Sequence, residues 1–280
     1  MRKFNKIIPL LLAMVLMCVL TGCSTMSPQQ QVEKALEAVS GIKNSDFSIG
    51  IEMAMSAQGQ DVNTNINMNG SYFTDPMKTK MEMSVDMGSL GSQTINMFIA
   101  AEGDKVKVYT NNSGEWIAQE MTLDQYSSSM KQADAKANME LFLKNAKNFK
   151  ATGNEEIDGV KTVKLEGVIT GDSIEEVIKE SGALSGMDSM FSSLGTDSDV
   201  AESMLKDMKD MNVTFWIDSA NYYPVKYDID MTDMIQKIMN NLIESLGTGQ
   251  SIALTVSKYR MTMELSNINN ATDFTLPEVK

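Results

Sequence analysis

Between Phe47 and Met87 apolar side chains recur at every second position, and this alternation constrains the fold more than any other feature of the chain. Ile49, Ile51, Met53 and Met55 alternate with small or polar residues, as do Val62, Thr64, Ile66 and Met68 in the next run, which Tyr72 follows. After Asp75-Pro76, a turn signal, come Met77, Thr79, Met81, Met83, Val85 and Met87. A period of two puts one apolar and one polar face on each segment, the signature of antiparallel strands with one face buried and one wet. Further strand patterns lie at 93–101, 104–110 and around Trp116-Ile117, then at 148–157 and 160–169, joined through Asp158-Gly159. An Asp-Gly between two such runs is a strong hairpin signal. Val213, Phe215 and Ile217 open another strand; 222–231 and a long last one from Gln250 to about Asn267 complete the set. The pattern predicts about eleven strands in one meander, with no parallel crossover.

Helical spacing replaces the alternation in four places. Ser27, Pro28 and Gln30 match an N-cap, a first-turn proline and a capping-box partner, and Val32, Ala35, Leu36 and Val39 then share one face. This predicts a helix over 28–40. Residues 122–147 and 172–211 read as helical, the second ending on Met204, Leu205, Met208 and Met211. Residues 232–246 carry a wide stripe of Met234, Ile235, Ile238, Met239, Leu242, Ile243 and Leu246. The expected fold class is α+β: a single strongly curved antiparallel sheet, a half-barrel of about eleven strands, with helices covering the concave face.

The start of the chain gives an address. Arg2, Lys3 and Lys6 precede an apolar run from Ile7 to Leu20, and Leu20-Thr21-Gly22-Cys23 closes the segment. A basic start, a short apolar stretch and small residues at its end form a secretory leader. The run is about 14 residues, short of the roughly 20 that span a bilayer. The closing tetrapeptide resembles a bacterial lipobox, which implies removal of residues 1–22 and lipidation of Cys23. Residues 23–27 are then a lipidated tether and 28–280 the folded domain, with an expected place on the outer face of a cell membrane.

Composition removes whole classes of function. Loss of Arg2, Lys3 and Lys6 with the leader leaves 21 basic against 37 acidic side chains, a net charge of −16. Nucleic acid requires the opposite balance. There is no histidine, which excludes Ser-His and Cys-His nucleophiles and the common zinc sites. Cys18 leaves with the leader and Cys23 is acylated, so the domain has neither thiol nor disulfide. No cofactor and no metal site is expected. Two Ser-x-x-Lys spacings, Ser128 to Lys131 and Ser203 to Lys206, lack the companion motifs of acyl-transfer enzymes. Asp197, Asp199, Asp207 and Asp210 read as a solvated helix face, and Trp116 and Trp216 as core or half-buried covers. An enzyme is not expected.

The order of elements resembles the LolA/LolB and LppX/LprG group of lipid-handling proteins, and more closely the LolA-like lipoproteins of Gram-positive bacteria. The likeness is carried by the lipobox at Cys23, the helix at 28–40, and Trp216-Ile217-Asp218 followed by Tyr223-Pro224-Val225-Lys226. The ending from Asn267 to Pro277, with Phe274 and Leu276, adds to it. The resemblance implies an incompletely closed sheet whose cavity, between sheet and helices, holds acyl chains and performs no chemistry. A hydrophobic ligand, a lipid or lipid-linked molecule, would then be the partner, lined by Ile51, Met53, Met55, Met68, Met81, Met83, Met204, Met208, Met234, Ile238, Met261 and Met263. Methionine is abundant, with 25 in the chain. Flexible thioethers suit an adaptable pocket, and they serve equally as ordinary core filler. The alternative is a non-catalytic envelope interaction module with a filled core, its protein partner unnamed by the sequence.

Overall fold

The computed structural model describes residues 26–88, 91–112, 114–130, 134–181, 208–245 and 253–279. Cys23, Lys131, Asp197, Asp199, Ser203, Met204, Lys206 and Asp207 lie outside them.

The first helix, α1 (Pro28–Ser40), starts where the sequence predicts. The Ser27 hydroxyl accepts a hydrogen bond from the Gln30 amide, and the Gln30 side chain accepts one from the Ser27 amide at 2.9 Å. Both otherwise orphaned donors are thereby satisfied. Six strands follow: β1 (Asn44–Ala57), β2 (Gln60–Thr74), β3 (Met77–Asp86), β4 (Ser92–Glu102), β5 (Lys105–Asn112) and β6 (Glu115–Thr122). The helices α2 (Leu123–Met130) and α3 (Ala135–Asn145) lead into β7 (Ala146–Ile157), β8 (Val160–Ile169) and α4 (Gly171–Glu180). Then come β9 (Met211–Asp218), β10 (Pro224–Asp230), α5 (Thr232–Ser245) and β11 (Leu254–Ser266). Two tight hairpins use paired left-handed residues, Gln58-Gly59 and the expected Asp158-Gly159.

All eleven strands form one open antiparallel sheet, in the order β6-β5-β4-β3-β2-β1-β11-β10-β9-β8-β7. This is not the single meander that the strand count suggests. It is two meanders, β1 to β6 and β7 to β11, fused where β1 pairs with β11 along its length. The edges are therefore β6 and β7, consecutive strands in the chain, and the α2–α3 connection carries the chain from one edge to the other.

Three boundaries also differ from the periodic reading. The helical region at 122–147 ends at Asn145, because Ala146 and Lys147 already pair with Ile169 and Val168 of β8. Met211 is a strand residue opposite Ile169, and its helical spacing to Met204 and Met208 is coincidental. With Val213, Phe215 and Ile217 it forms a period-two row. Asp210 does not sit on a solvated helix face; its carboxylate accepts the Gly171 amide at the start of α4, at 3.0 Å.

The strands from β8 through β11, with the first half of β1, bury one face under α1, α3 and α4. Val32, Ala35 and Val39 of α1, Met139 and Leu143 of α3, and Ile174 of α4 are at most 4 % exposed. They meet Leu165, Phe215, Tyr227, Ile229 and Met263 on the sheet, and Phe142 stands edge-on to Tyr227 at 5.2 Å. Each such side chain contributes roughly 1.5–3 kcal/mol on burial. Phe47 lies over Gly70 of the neighbouring strand. A Cβ there would collide with the Lys80 carbonyl oxygen and lie 2.7 Å from the Phe47 ring.

The outer face has two aromatic features of its own. After β11 the chain folds back, and Phe274 packs edge-on between Phe73 and Phe98, each 5.7 Å away. Lys78 runs beneath this strap and pairs with Asp273. On β9, Trp216 is 7 % exposed, with the ammonium groups of Lys164 and Lys226 5.1 and 5.3 Å from its ring centre. Its indole donates to Glu155 at 2.7 Å.

Gly70→Ala should destabilise the fold by about 1–3 kcal/mol, read as a shift of the urea midpoint; an unchanged midpoint would mean that Phe47 does not depend on this close approach. Hydrogen bonds from Trp216 and Lys164 hold the Glu155 carboxylate below the ordinary glutamate value. A depressed folded value means that its stabilisation is full above the ordinary value and drains away as pH falls through the depressed one. Trp216 emission should therefore change in acid, below about pH 4, and Glu155→Gln should remove that change. An emission change centred near neutrality would contradict the assignment.

Candidate functional site

The helix-covered face continues, unbroken in register, onto the other half of the sheet. Residues opposite one another across antiparallel strands share a face. Ile51 faces Ile66 and then Val85; Met68 faces Met83 and then Ile95; Met81 faces Met97. Met53 lies between Thr64 on one side and Tyr259 on the other. From β2 to Thr110 of β5 the inward positions carry apolar, glycine, Thr, Gln or Tyr residues and none carries a charge. The opposite face of β2 is polar, with Asn63, Asn65, Asn67 and Asn69 all exposed.

The two halves differ in cover. Beneath α1, α3 and α4 the inner face is sealed, whereas Ile51, Met53, Met55, Ile66, Met68, Met83, Val85, Ile95 and Met97 are only half-buried. Tyr72, Met81, Ile99 and Val106 are buried and form a floor along one end of this half. The result is an uncharged apolar surface, continuous with a packed core on one side.

The helix α5 stands at its margin. Gln236 accepts the Val256 amide at 2.6 Å and donates to the Leu254 carbonyl at 3.2 Å. The Thr232 hydroxyl accepts the Tyr259 amide at 2.9 Å. These bonds serve β11 backbone groups past Arg260, where pairing with β10 has ended, beside a shift in the β1–β11 register between Ala54 and Met55. Ile238 and Leu242 point into the interior.

The structure sorts the residues expected to line a ligand into three groups. Met81, Met208, Ile238 and Met263 are buried, at 7, 7, 4 and 0 % exposure, and belong to the packed core. Ile51, Met68, Met234 and Met261 are partly buried against that core. Met53, Met55 and Met83 are half-buried outside it, and Met204 is outside the described residues. Ile66, Val85, Ile95 and Met97 share the same surface and are missing from the expected set. Their period-two spacing is the signal that would have found them.

Burial pushes the phenols of Tyr126 and Tyr259 above the ordinary tyrosine value, and does so strongly for Tyr227, so these groups stay neutral at physiological pH. A separate cavity of about 650 Å³ lies between the start of β9, α5 and β11. Lys209, Asp210, Asn212, Asp233, Lys237 and Asn241 are among its lining, so it is a polar cleft and not the expected apolar one. Among the described residues, no helix is long and apolar enough to cross a membrane. No group of three or more His, Cys, Asp or Glu side chains among them is placed to hold a metal ion.

One family model matches residues 27–280. The chain belongs to DUF6612, a family of unknown function. Among solved structures, this DUF6612 chain is similar to LprF from Mycobacterium bovis at 13 % identity and a TM-score of 0.49, over 90 % of this chain and 96 % of that one. It is also similar to the Mycobacterium tuberculosis lipoprotein LppX, at 13 % identity and a TM-score of 0.43, over 89 % and 99 % of the two chains. LppX is one of the group that the sequence resembles. No curated protein sequence matches the chain.

The difference between the halves predicts unequal costs for truncation. Met263→Ala should cost about 2–5 kcal/mol, as for any sealed core methionine, and Met53→Ala well under that. Equal losses in chemical denaturation would show that the two residues share one kind of environment.

Proposed function

We propose that this chain is a membrane-anchored lipoprotein that binds a hydrophobic ligand, a lipid or lipid-linked molecule, on the half-open part of its inner face, without catalysis. The observation that carries the reading is the uncharged surface spanning β1 to β4, left half-buried beside a fully packed half of the same sheet. An apolar surface of this kind is stabilised by any occupant that removes it from water, at about 25 cal/mol per Å². Methionine suits that task, because its unbranched thioether adapts to chains of varied shape.

The anchor supports the reading. Lipid on Cys23 would leave four residues before Ser27, a reach of at most about 14 Å, and α1 begins there with its apolar stripe fixed on the sheet. The body would thus be held close to the outer face of the membrane from which a lipid ligand comes. The absence of histidine and of a domain thiol fits a role in burial and not in reaction. A Gram-positive source belongs to the same proposal.

Native mass spectrometry of the gently purified chain should show a bound lipid in substoichiometric or full occupancy, released on denaturation. Met83→Glu should weaken binding of a fluorescent fatty acid by at least about tenfold, because a carboxylate on this surface must be desolvated with the ligand, while the circular dichroism spectrum is retained. A chain that carries no lipid, and binds the fatty acid no better than Met83→Glu does, would overturn the proposal.

A further inference from the structure

The same surface holds a set of metal donors that binding of a hydrophobic ligand does not require. With no histidine in the chain and no convergent carboxylate group among the described residues, the common hard and borderline ions find no ligand cluster there. Thioether sulfur is the donor that remains. On β2, β3 and β4, four methionines meet on one face. Met68 is directly opposite Met83, Met81 is directly opposite Met97, and Met81 and Met83 are two residues apart on the strand between.

Directly opposed residues have Cβ atoms about 4.5–5.5 Å apart, and same-face neighbours along a strand lie about 6.5–7 Å apart. Each methionine adds an unbranched side chain with three rotatable bonds. Met68, Met83 and Met81 are successive neighbours in this array, so their three sulfurs can converge on one point above β3 without movement of the backbone. Met97, two strands and two residues away from Met68, is about 11–12 Å from it and lies outside their common reach. Met68 and Met83 are half-buried and give access from solvent, while Met81 beside them is buried.

We propose that Met68, Met83 and Met81 form an all-thioether site for a soft monovalent d¹⁰ cation, naturally Cu(I). Soft thioethers select Cu(I) over Zn(II), Ca(II) or Mg(II), whose preferred donors are absent from this face. A thioether has no proton to lose, so binding is independent of pH through the physiological range. The neutral surroundings leave recognition to donor softness, and the acidic exterior raises the local concentration of any cation. Binding involves no change of oxidation state. The site does not depend on the proposed hydrophobic ligand, and leucine in place of methionine tests it, since it keeps apolar volume and removes the donor.

The test uses the full chain in detergent micelles, with Ag(I) as a redox-inert probe for calorimetry and X-ray absorption, and Cu(I) under reducing conditions for competition. The expected result is one Ag(I) per chain with a sulfur-only first shell and no heat with Zn(II). Met68→Leu and Met83→Leu should each weaken Ag(I) binding by at least about tenfold, whereas Met139→Leu in the sealed core should not. The circular dichroism spectrum and urea midpoint should be retained in the Leu variants, so that lost Ag(I) binding is not lost folding. The site is disproved if the Met68→Leu/Met81→Leu/Met83→Leu triple variant binds Ag(I) as the parent does, if the first shell contains oxygen or nitrogen, or if no Ag(I) binds. Loss of Ag(I) binding with the fold intact establishes the site whatever the natural ligand, and failure of the parent chain to bind fatty acid bears only on the ligand proposal.

Discussion

Everything in this molecule rests on the pairing of β1 with β11. It joins strands about two hundred residues apart, running from Asp46–Ser266 to Ala57–Leu254. Without it there would be two separate meanders, each with an exposed apolar face. With it, Phe47–Leu265, Ile49–Met263 and Ile51–Met261 become neighbours, and the inner face runs continuously from β6 to β7. The pairing also ties down both ends of the described chain. Asn269 donates to the Asn44 carbonyl and accepts the Lys43 amide, which directs the last residues back over the outer aromatic cluster.

Continuity of the face makes its uneven cover meaningful. On one side, helices with full apolar stripes close the sheet to solvent, and the core there is as tight as the contact of Phe142 with Tyr227 implies. On the other, the same kind of apolar row reaches half-exposed positions. The cost of leaving such a surface in water is the physical argument that it has an occupant. Methionine-rich packing specifies one arrangement poorly, a weakness in a core and an advantage in a surface that must accept variable chains or a soft ion.

Local signals made most of this readable from residues. Alternation identified the strands from Ile49 to Met87 and the face on which each methionine lies, because side-chain direction is fixed by a period of two. The capping box at Ser27 and the Asp158-Gly159 turn located a helix start and a hairpin, since both are set by residues within a few positions. Strand order was not readable. Whether β1 pairs with β11, or β6 with β7, depends on contacts across the whole chain, and consecutive turns are the same in either arrangement. Met211 misled for a related reason: its spacing from Met208 fits a helix, its spacing from Val213 fits a strand, and only its pairing with Ile169 decides. The candidate surface was legible as a set of inward residues but not as a half-covered one, because cover is supplied by helices remote in sequence.

The central claim is that the β1–β4 half of the inner face, and not the helix-covered half, receives an apolar chain. Methionine methyl resonances report on it directly, with residues distributed across both halves. Addition of a spin-labelled fatty acid to the ¹³C-methyl-methionine protein should broaden Met53, Met55, Met68 and Met83 while leaving Met139 and Met263 sharp. Broadening of Met139 and Met263 to the same degree, or of no methionine at all, would contradict the account.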